Sequence, residues 1–343
     1  MNQINRRDFN RRDFLKAAGL AGAALMVDGS LGLAAAQPSF TSGKIHGINL
    51  GGWLVLEKWI KPSLFDGVDA GDEYTLSQTL GKDKATDLLQ RHRETWITAD
   101  DFKWLAAHGV NAVRLPVGYW VMEENPPFIT GLETMDWAFR TAKANGISVL
   151  LDLHGVPGSQ NGWDHSGRQG TLGWHTSQEN ILHSLRVVED LAAHCQQHDN
   201  LLGIELLNEP RKDVPSDIIK TYYLDGYQRV RKHLDGTAVV IHDAFRPDQW
   251  ANFMSGPDYH NVILDTHMYQ CFTDEDSQRD IGGQIEVAAV ERKRQLDKMQ
   301  QELPCIVGEW SLGLPGQSMA GLDPLARDAA MRAYGAALPG ASV

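Results

Sequence analysis

The chain has 343 residues, of which 42% are hydrophobic and 22% charged, a composition typical of a globular protein with one large or two small domains. Its formal net charge of −12 argues against a nucleic-acid partner, because the phosphates would be repelled. The three cysteines, Cys195, Cys271 and Cys305, are sparse and far apart, so neither a disulfide framework nor a zinc site is predicted.

The N-terminal residues have the pattern of an export signal. Arg11 and Arg12 precede Phe14-Leu15-Lys16, an apolar run covers residues 17–27, and small residues follow at 34–36. Paired arginines ahead of a short apolar run are typical of the bacterial twin-arginine route. We therefore predict an export signal over residues 1–36, cleaved after Ala36, and a periplasmic or extracellular protein. The run is too short to span a bilayer, so no membrane association is expected after cleavage.

From residue 44 onward, apolar stretches alternate with segments of helical spacing. A long connecting segment with short helices is predicted over residues 54–98. Asp100 is expected to cap the helix that comes after this segment. Further helices are predicted over residues 132–145, 178–198, 216–234, 285–300 and 325–337. Strands are predicted over residues 44–53, 110–117, 147–153, 201–207, 238–241, 261–265 and 304–309.

This alternation indicates parallel βα units, and we predict a (β/α)₈ TIM barrel over residues 40–343. Seven strands are found where a complete barrel has eight, so the barrel is expected to lack its eighth βα unit before Val343. A doubly wound open sheet is the alternative, but no glycine-rich phosphate loop follows the first strand as that fold requires.

Polar side chains recur where the predicted strands end. Because parallel strands of a barrel present their carboxyl ends at one rim, these side chains are expected to converge on one site. They are Arg114, His154, Asn208-Glu209, His242-Asp243, His267, Tyr269 and Glu309-Trp310.

Two of these residues, Glu209 and Glu309, are carboxylates on different strands with no metal-ligand motif beside them. Carboxylates about 5–5.5 Å apart support retaining glycoside hydrolysis, with one acting as acid/base and the other as nucleophile. The acid must keep its proton near neutral pH while the nucleophile stays ionised. The charge of Arg114 would help to keep the nucleophile anionic.

Three neighbouring residues have the chemistry to bind a sugar. His267 and Tyr269 alternate on an extended run, so they can point to one side and hydrogen-bond a sugar or the nucleophile. Asn208, next to the expected acid, can bind a sugar 2-hydroxyl, a contact that strengthens in the transition state.

With these residues the chain resembles glycoside hydrolase family 5, the cellulase-type retaining hydrolases. Within that family it is most similar to the exo-1,3-β-glucanases of fungi, and the resemblance covers roughly residues 44–315. The motifs that carry it are Gly47–Trp53, Pro62–Phe65, Asp72–Tyr74, Arg114–Gly118, Leu153–Gly162, Asn208–Pro210, His267-x-Tyr269 and Gly308–Ser311.

The resemblance implies roles for individual residues. Glu209 corresponds to the acid/base and Glu309 to the nucleophile. Glu57 matches a position that binds the terminal glucose. Trp163, where the family usually has phenylalanine, and Phe272 match two aromatics that clamp the sugar at the entrance. The family's eighth strand also brings a tryptophan beneath the cleaved sugar, and no such segment precedes Val343.

The resulting expectation is a monomeric, secreted enzyme that hydrolyses β-glucans with retention, prefers 1,3-linkages, acts from chain ends and needs no cofactor. An endo-1,4- or 1,6-β-glucanase would use the same carboxylates. A non-catalytic carbohydrate-binding remnant is favoured by the missing eighth unit and opposed by the presence of both glutamates. An oxidoreductase is more remote, because no nucleotide-binding fingerprint occurs.

Overall fold

The computed structural model describes residue 40 and residues 43–341, so the predicted export signal lies outside the described residues. The chain divides into two compact units. The larger contains the described residues up to 266 together with residues 299–308, and the smaller contains residues 267–298 and those from 309 onward. Cys195, Cys271 and Cys305 are free thiols. Within the described part of the chain, no helix combines the length and apolar character needed to cross a membrane.

One sheet of seven strands, ordered as in the sequence, organises the larger unit. The pairings from the first to the sixth strand are parallel. The Asn49 side-chain amide donates to the Gly308 carbonyl at 2.7 Å and so joins the first strand to the last. These features confirm the predicted TIM-barrel fold. The strands are β1 (Gly47–Asn49), β2 (Ala112–Gly118), β3 (Ser148–Gly155), β4 (Leu201–Glu205), β5 (Ala238–His242), β6 (Val262–His267) and β7 (Cys305–Glu309).

The sheet changes from apolar to polar along the strands. Ala112 of β2 and Leu150 of β3 belong to one buried hydrophobic cluster. Two residues further along the same strands come Arg114 and Asp152, which are also buried. Because side chains two apart share a face of a strand, the apolar cluster and the charged residues lie on the same face. The charged ends of that face are where the site is built.

Helices follow most of the strands. They are α1 (Glu73–Leu80), α2 (Lys82–Trp96), α3 (Ala99–Ala107), α4 (Leu132–Ala144), α5 (Gln178–Cys195), α6 (Ser216–Arg231), α7 (Asp274–Gln278), α8 (Ile281–Glu286), α9 (Arg292–Met299) and α10 (Pro324–Ala341). Short 3₁₀ turns occur at Pro62–Phe65, Asp164–Ser166, Pro247–Gln249 and Gly316–Met319.

Three helical predictions differ from the structure. Helix α3 is capped by Thr98, not by Asp100, since the Thr98 backbone N–H and hydroxyl both donate to Asp101 at 2.7 Å. The connecting segment over residues 54–98 contains the 15-residue helix α2, which is longer than the short helices expected there. The single helix predicted over residues 285–300 is interrupted by a π-helical segment, Val287–Glu291, between α8 and α9.

The smaller unit is tied together by buried amides. The Gln270 side-chain amide donates to the Gln284 backbone and side-chain oxygens, both at 2.9 Å. The Gln284 amide in turn donates to the Asp276 carbonyl and to the Ser318 hydroxyl. This network fixes the segment after β6 on which Tyr269 lies.

Candidate active site

Arg114 is the centre of a buried polar network in the larger unit. Its Nε donates to Glu205 Oε2 at 2.8 Å, and one terminal nitrogen donates to Asn208 Oδ1 at 2.8 Å. The other terminal nitrogen donates to Asn49 Oδ1 at 3.0 Å, and Asp152 Oδ2 lies 3.1 Å from the guanidinium. One planar cation thus fixes side chains from three other strands or strand ends.

The charges in this network depend on each other. Glu205 and Asp152 are fully buried, and a buried carboxylate is costly unless a cation and hydrogen bonds compensate it. Burial raises the pKa of Glu205 well above its usual range, and the nearby Arg114 cation opposes that rise. Removing Arg114 would therefore leave two carboxylates without their shared cation.

His154 extends the network toward Asn208. Its Nδ1 lies 2.6 Å from Asp152 Oδ2, so the carboxylate accepts the Nδ1 proton and fixes the tautomer of the ring. Its Nε2 then faces the Asn208 side-chain nitrogen at 3.4 Å. With Arg114 on its oxygen and His154 on its nitrogen, the Asn208 amide is held in one orientation.

The backbone at Glu209 is held in an unusual conformation. Its φ is 42°, in the left-handed region that a non-glycine residue adopts only at a free-energy cost. The Asn161 side chain donates to the Glu209 carbonyl at 3.2 Å. The Gln160 side chain donates to the carbonyls of Asn208 and His154, both at 2.8 Å. These bonds compensate the strain and fix the direction in which the Glu209 carboxylate projects.

His165 is one polar neighbour of the Glu209 carboxylate. Its Nε2 lies 3.4 Å from Glu209 Oε2, and its ring lies 5.1 Å from the His154 ring and 5.5 Å from that of Trp163. The Asp164–Ser166 turn positions it. The expected acid/base therefore has an imidazole beside one of its oxygens.

In the smaller unit, the Glu309 carboxylate lies beside two polar side chains. The Tyr269 hydroxyl donates to Glu309 Oε2 at 2.8 Å, and His267 Nδ1 lies 3.6 Å from the same oxygen. The Met268 backbone N–H donates to the Glu309 carbonyl at 2.9 Å. The hydroxyl thus holds the carboxylate in one orientation.

The aromatic residues expected to clamp a sugar are accessible within their own units. Trp163 is 37% exposed, and its ring makes a T-shaped contact with the ring of Phe245. Phe272 is 79% exposed, and its ring makes a T-shaped contact with the ring of Tyr269. Edge contacts leave a ring face available, which is the surface on which a sugar ring packs.

Glu57, the expected ligand of the terminal glucose, is oriented by its own loop. Its Oε1 accepts from the Gly52 backbone N–H at 3.1 Å, and its Oε2 accepts from the Trp59 indole at 3.0 Å. Trp59 is 72% exposed, and the sequence did not single it out.

The structure thus brings the predicted residues together in two groups. Arg114, His154, Asn208 and Glu209 form a connected network in the larger unit. His267, Tyr269 and Glu309 lie together in the smaller unit.

The sequence analysis missed the residues that support these groups, namely Asp152, Gln160, Asn161, His165 and Glu205. The sequence does contain one indication of a supporting network. Asp152 and Glu205 are isolated charges within apolar strands, and a charged side chain is rarely buried unless it is paired with another polar or charged group. Gln160 and Asn161 were noted as part of a motif but without a role, since nothing local shows that they bond to a strand end 48 residues away.

Comparisons with known proteins identify the family to which the chain is similar. Residues 81–333 match the family model for cellulase, glycosyl hydrolase family 5. The chain is 44% identical over 286 residues to a glucan 1,3-beta-glucosidase of Blumeria graminis, covering 79% of this chain and 65% of that protein. It is 35% identical over 323 residues to a glucan 1,3-beta-glucosidase of Pichia angusta, covering 87% and 73% respectively.

The chain spans about two thirds of the length of most of these curated relatives. Among solved structures, the rutinosidase from Aspergillus niger superimposes with a TM-score of 0.74 at 21% identity, over 86% of each chain, a likeness of fold. The family match covers both Glu209 and Glu309 and most of the chain. The chain belongs to glycosyl hydrolase family 5.

Proposed function

We propose that this protein hydrolyses β-glucosidic bonds in β-glucans by double displacement, with Glu209 as acid/base and Glu309 as nucleophile. The observation that carries the proposal is the different surroundings of the two carboxylates. Glu309 accepts a hydrogen bond from the Tyr269 hydroxyl that orients its carboxylate, while Glu209 follows a buried strand on a backbone that its neighbours fix.

The nucleophilic step uses the Glu309 carboxylate to attack the anomeric carbon as the glycosidic bond breaks. This gives a covalent glycosyl-enzyme. The Tyr269 hydroxyl on Oε2 holds the carboxylate in one orientation before attack. In the second step, water displaces the Glu309 carboxylate from the sugar and the original anomeric configuration is restored.

The proton steps use Glu209. It gives its proton to the departing glycosidic oxygen in the first step, and it takes a proton from the attacking water in the second. Asn208 is the proposed ligand of the sugar 2-hydroxyl, because Arg114 and His154 hold its amide in place. A fixed amide stabilises the transition state without a reorganisation cost.

For the substrate we propose a 1,3-linked β-glucan cleaved from its end. The relatives of similar sequence bear the name glucan 1,3-beta-glucosidase, which supports this choice. Glu57 is the proposed ligand of the terminal glucose, and Trp163 and Phe272 are the proposed stacking platforms at the entrance. We further propose that the protein acts as a monomer outside the cytoplasm, after export by the twin-arginine route.

The test is hydrolysis of laminarin, a 1,3-β-glucan, by the wild-type chain, Glu309→Gln, Glu209→Gln and the exposed control Glu133→Gln. Both site variants should lose roughly 10²–10⁴-fold in rate while the control is unchanged. Proton NMR of the first product should show the β-anomer, as retention requires.

Equal hydrolysis by wild type and Glu309→Gln would reject the mechanism, and an initial α-anomer would reject retention. If the wild-type chain binds laminarin but releases no sugar, the binding-remnant alternative replaces the proposal. Cleavage of cellulose in preference to laminarin would reject the 1,3-linkage.

A further inference from the structure

Three side chains of types that bind metal ions lie together in the larger unit. The helices that carry them supply none of the proposed catalytic or sugar-binding residues. Asp136 lies in α4, His194 lies in α5, and His198 follows the end of α5. His194 Nε2 is 2.7 Å and His198 Nε2 is 3.1 Å from the same oxygen, Asp136 Oδ1. One ligand atom from each residue thus lies within 4.8 Å of the other two.

Two imidazoles share one carboxylate oxygen in this cluster, because His194 Nε2 and His198 Nε2 both lie within hydrogen-bond distance of Asp136 Oδ1. The Gln197 side-chain amide lies against the same group, 3.0 Å from His194 Nε2.

The cluster is also held in place and open to solvent. The His198 ring stacks on Phe139 with centroids 4.3 Å apart and planes 6° apart, and its backbone N–H donates to the Cys195 carbonyl. The side chains of His194 and Asp136 are 20% and 22% exposed, so an ion can reach them.

We propose that Asp136, His194 and His198 form a binding site for a divalent transition-metal ion such as Zn²⁺. Two imidazoles and a carboxylate are a donor set that zinc accepts, with water completing the coordination. Tetrahedral ligands about 2.0–2.1 Å from zinc lie about 3.3 Å apart, so the Asp136 oxygen, now 2.7 Å from His194 Nε2 and 3.1 Å from His198 Nε2, would have to move about 0.6 Å away from His194. The bound ion would link α4 to α5.

The test uses the full chain without a polyhistidine tag, freed of metal by a chelator and titrated with Zn²⁺ by calorimetry. Co²⁺ serves as the spectroscopic probe. The variants are His198→Ala and Asp136→Asn, and the matched control is His108→Ala, an exposed histidine at the end of α3. Wild type and control should bind one equivalent, and the site variants should bind at least about 10-fold more weakly.

A saturating concentration of Zn²⁺ should raise the Tm of wild type and control by a few degrees and leave the site variants unchanged, since an ion that binds only the folded state stabilises it. The proposal is overturned if wild type takes up no Zn²⁺, or if all four proteins bind it equally. If the wild type takes up no Zn²⁺ and the metal-free site variants have a lower Tm than the metal-free wild type, these residues only tie the two helices together. Laminarin hydrolysis should not change on chelation, so this test and that of the proposed function fail independently.

Discussion

The hydroxyl of Tyr269 is the residue-level feature that distinguishes Glu309 from an ordinary strand-end carboxylate. We predict that Tyr269→Phe lowers kcat on laminarin about 10- to 100-fold, because a hydrogen bond to a charged group contributes roughly 1.5–3 kcal/mol. The kinetic measurement should accompany circular dichroism to show that the fold is intact.

The matched control is Tyr227→Phe, whose hydroxyl lies 3.2 Å from His260 Nδ1, away from both carboxylates. It should keep wild-type kinetics. A Tyr269→Phe enzyme with unchanged kcat would mean that the bond to Glu309 has no part in the chemistry.

A second residue-level prediction concerns the strained backbone at Glu209. Asn161→Ala removes the amide that donates to the Glu209 carbonyl, so the left-handed conformation loses one of its supports. We expect kcat to fall about 10-fold, because the proposed acid is displaced and small misplacements are costly. KM should rise as well, because Asn161 Oδ1 also accepts from the backbone N–H of Trp163, a proposed sugar contact, at 2.9 Å.

The control for this variant is Asn111→Ala, which removes a similar amide-to-carbonyl bond to Lys44 elsewhere in the larger unit. Each variant loses two side-chain hydrogen bonds, because Asn161 Oδ1 also accepts from the Trp163 N–H and Asn111 Oδ1 from the His46 N–H. Both should therefore lose roughly 1–3 kcal/mol of stability. Only Asn161→Ala should lose activity, and an equal loss by both would assign the effect to stability.

The sequence predicted the residues at the strand ends better than those that support them. Glu209, Glu309 and His154 follow apolar runs, so their position in the sequence indicates the site. Gln160 and Asn161 act on a carbonyl 48 residues away, and a contact between distant segments leaves no local pattern. The φ of Glu209 was equally unpredictable, because it follows from those distant bonds.

At the level of elements, helix α2 carries a buried histidine whose charge state depends on the fold. His92 Nε2 lies 2.7 Å from the Gly52 carbonyl, and burial lowers the pKa of His92 to about 4. A group whose pKa falls on folding binds fewer protons in the folded state, so its contribution to stability is present above pH 6.5 and lost as the pH falls toward 4.

Glu73, at the start of α1, has the opposite effect. Burial raises its pKa to about 7, so the stability that it contributes is present below about pH 4.5 and lost as the pH rises toward 7. Between pH 4.5 and 6.5 the two contributions largely cancel in the wild-type protein.

We predict that His92→Gln, which keeps a donor for the Gly52 carbonyl but does not titrate, removes this balance. Over pH 4.5–6.5 the free energy of unfolding of wild type should rise by about 2 kcal/mol relative to that of the variant. Urea unfolding at both pH values measures the difference. His108→Gln, at an exposed site, is the control, and a parallel pH dependence of wild type and His92→Gln would contradict the prediction.

The existence of the elements was easier to predict than their ends. All seven strands occur at the predicted positions. The five from β2 to β6 are buried over nearly their whole length, and a strand buried on both faces must be apolar. The π-helical segment was not foreseen, because one extra residue per turn over five residues scarcely alters the helical spacing of apolar side chains. Thr98, and not Asp100, caps helix α3, because a capping box needs a Ser or Thr at the N-cap and a side chain that accepts a hydrogen bond three positions later. Asp101 stands in that position relative to Thr98.

At the scale of the whole molecule, the sheet order and the family match both indicate a barrel of glycosyl hydrolase family 5. The Asn49–Gly308 bond joins the first and last described strands of the larger unit. The smaller unit contains His267, Tyr269, Phe272 and the proposed nucleophile Glu309, whereas the proposed acid Glu209 belongs to the larger unit.

The final prediction concerns the delivery of the whole chain and rests on the pair Arg11-Arg12 in the N-terminal sequence. In a bacterial host with a twin-arginine pathway, the wild-type chain should be recovered from the periplasm with Gln37 as its first residue, because cleavage is expected after Ala36. Replacing both arginines by lysine keeps the positive charge but removes the pair that this route recognises, so the precursor should remain uncleaved in the cytoplasm.

The sequence provides its own control for that experiment. Arg6-Arg7 is followed by Asp8-Phe9, as Arg11-Arg12 is by Asp13-Phe14, but only the second pair directly precedes the apolar run. Lysine at positions 6 and 7 should therefore leave export intact, and mass spectrometry of periplasmic and cytoplasmic fractions distinguishes the outcomes. Equal export of all three proteins would show that the arginine pair is not the signal, whereas a loss only with the first pair would place the start of the signal upstream.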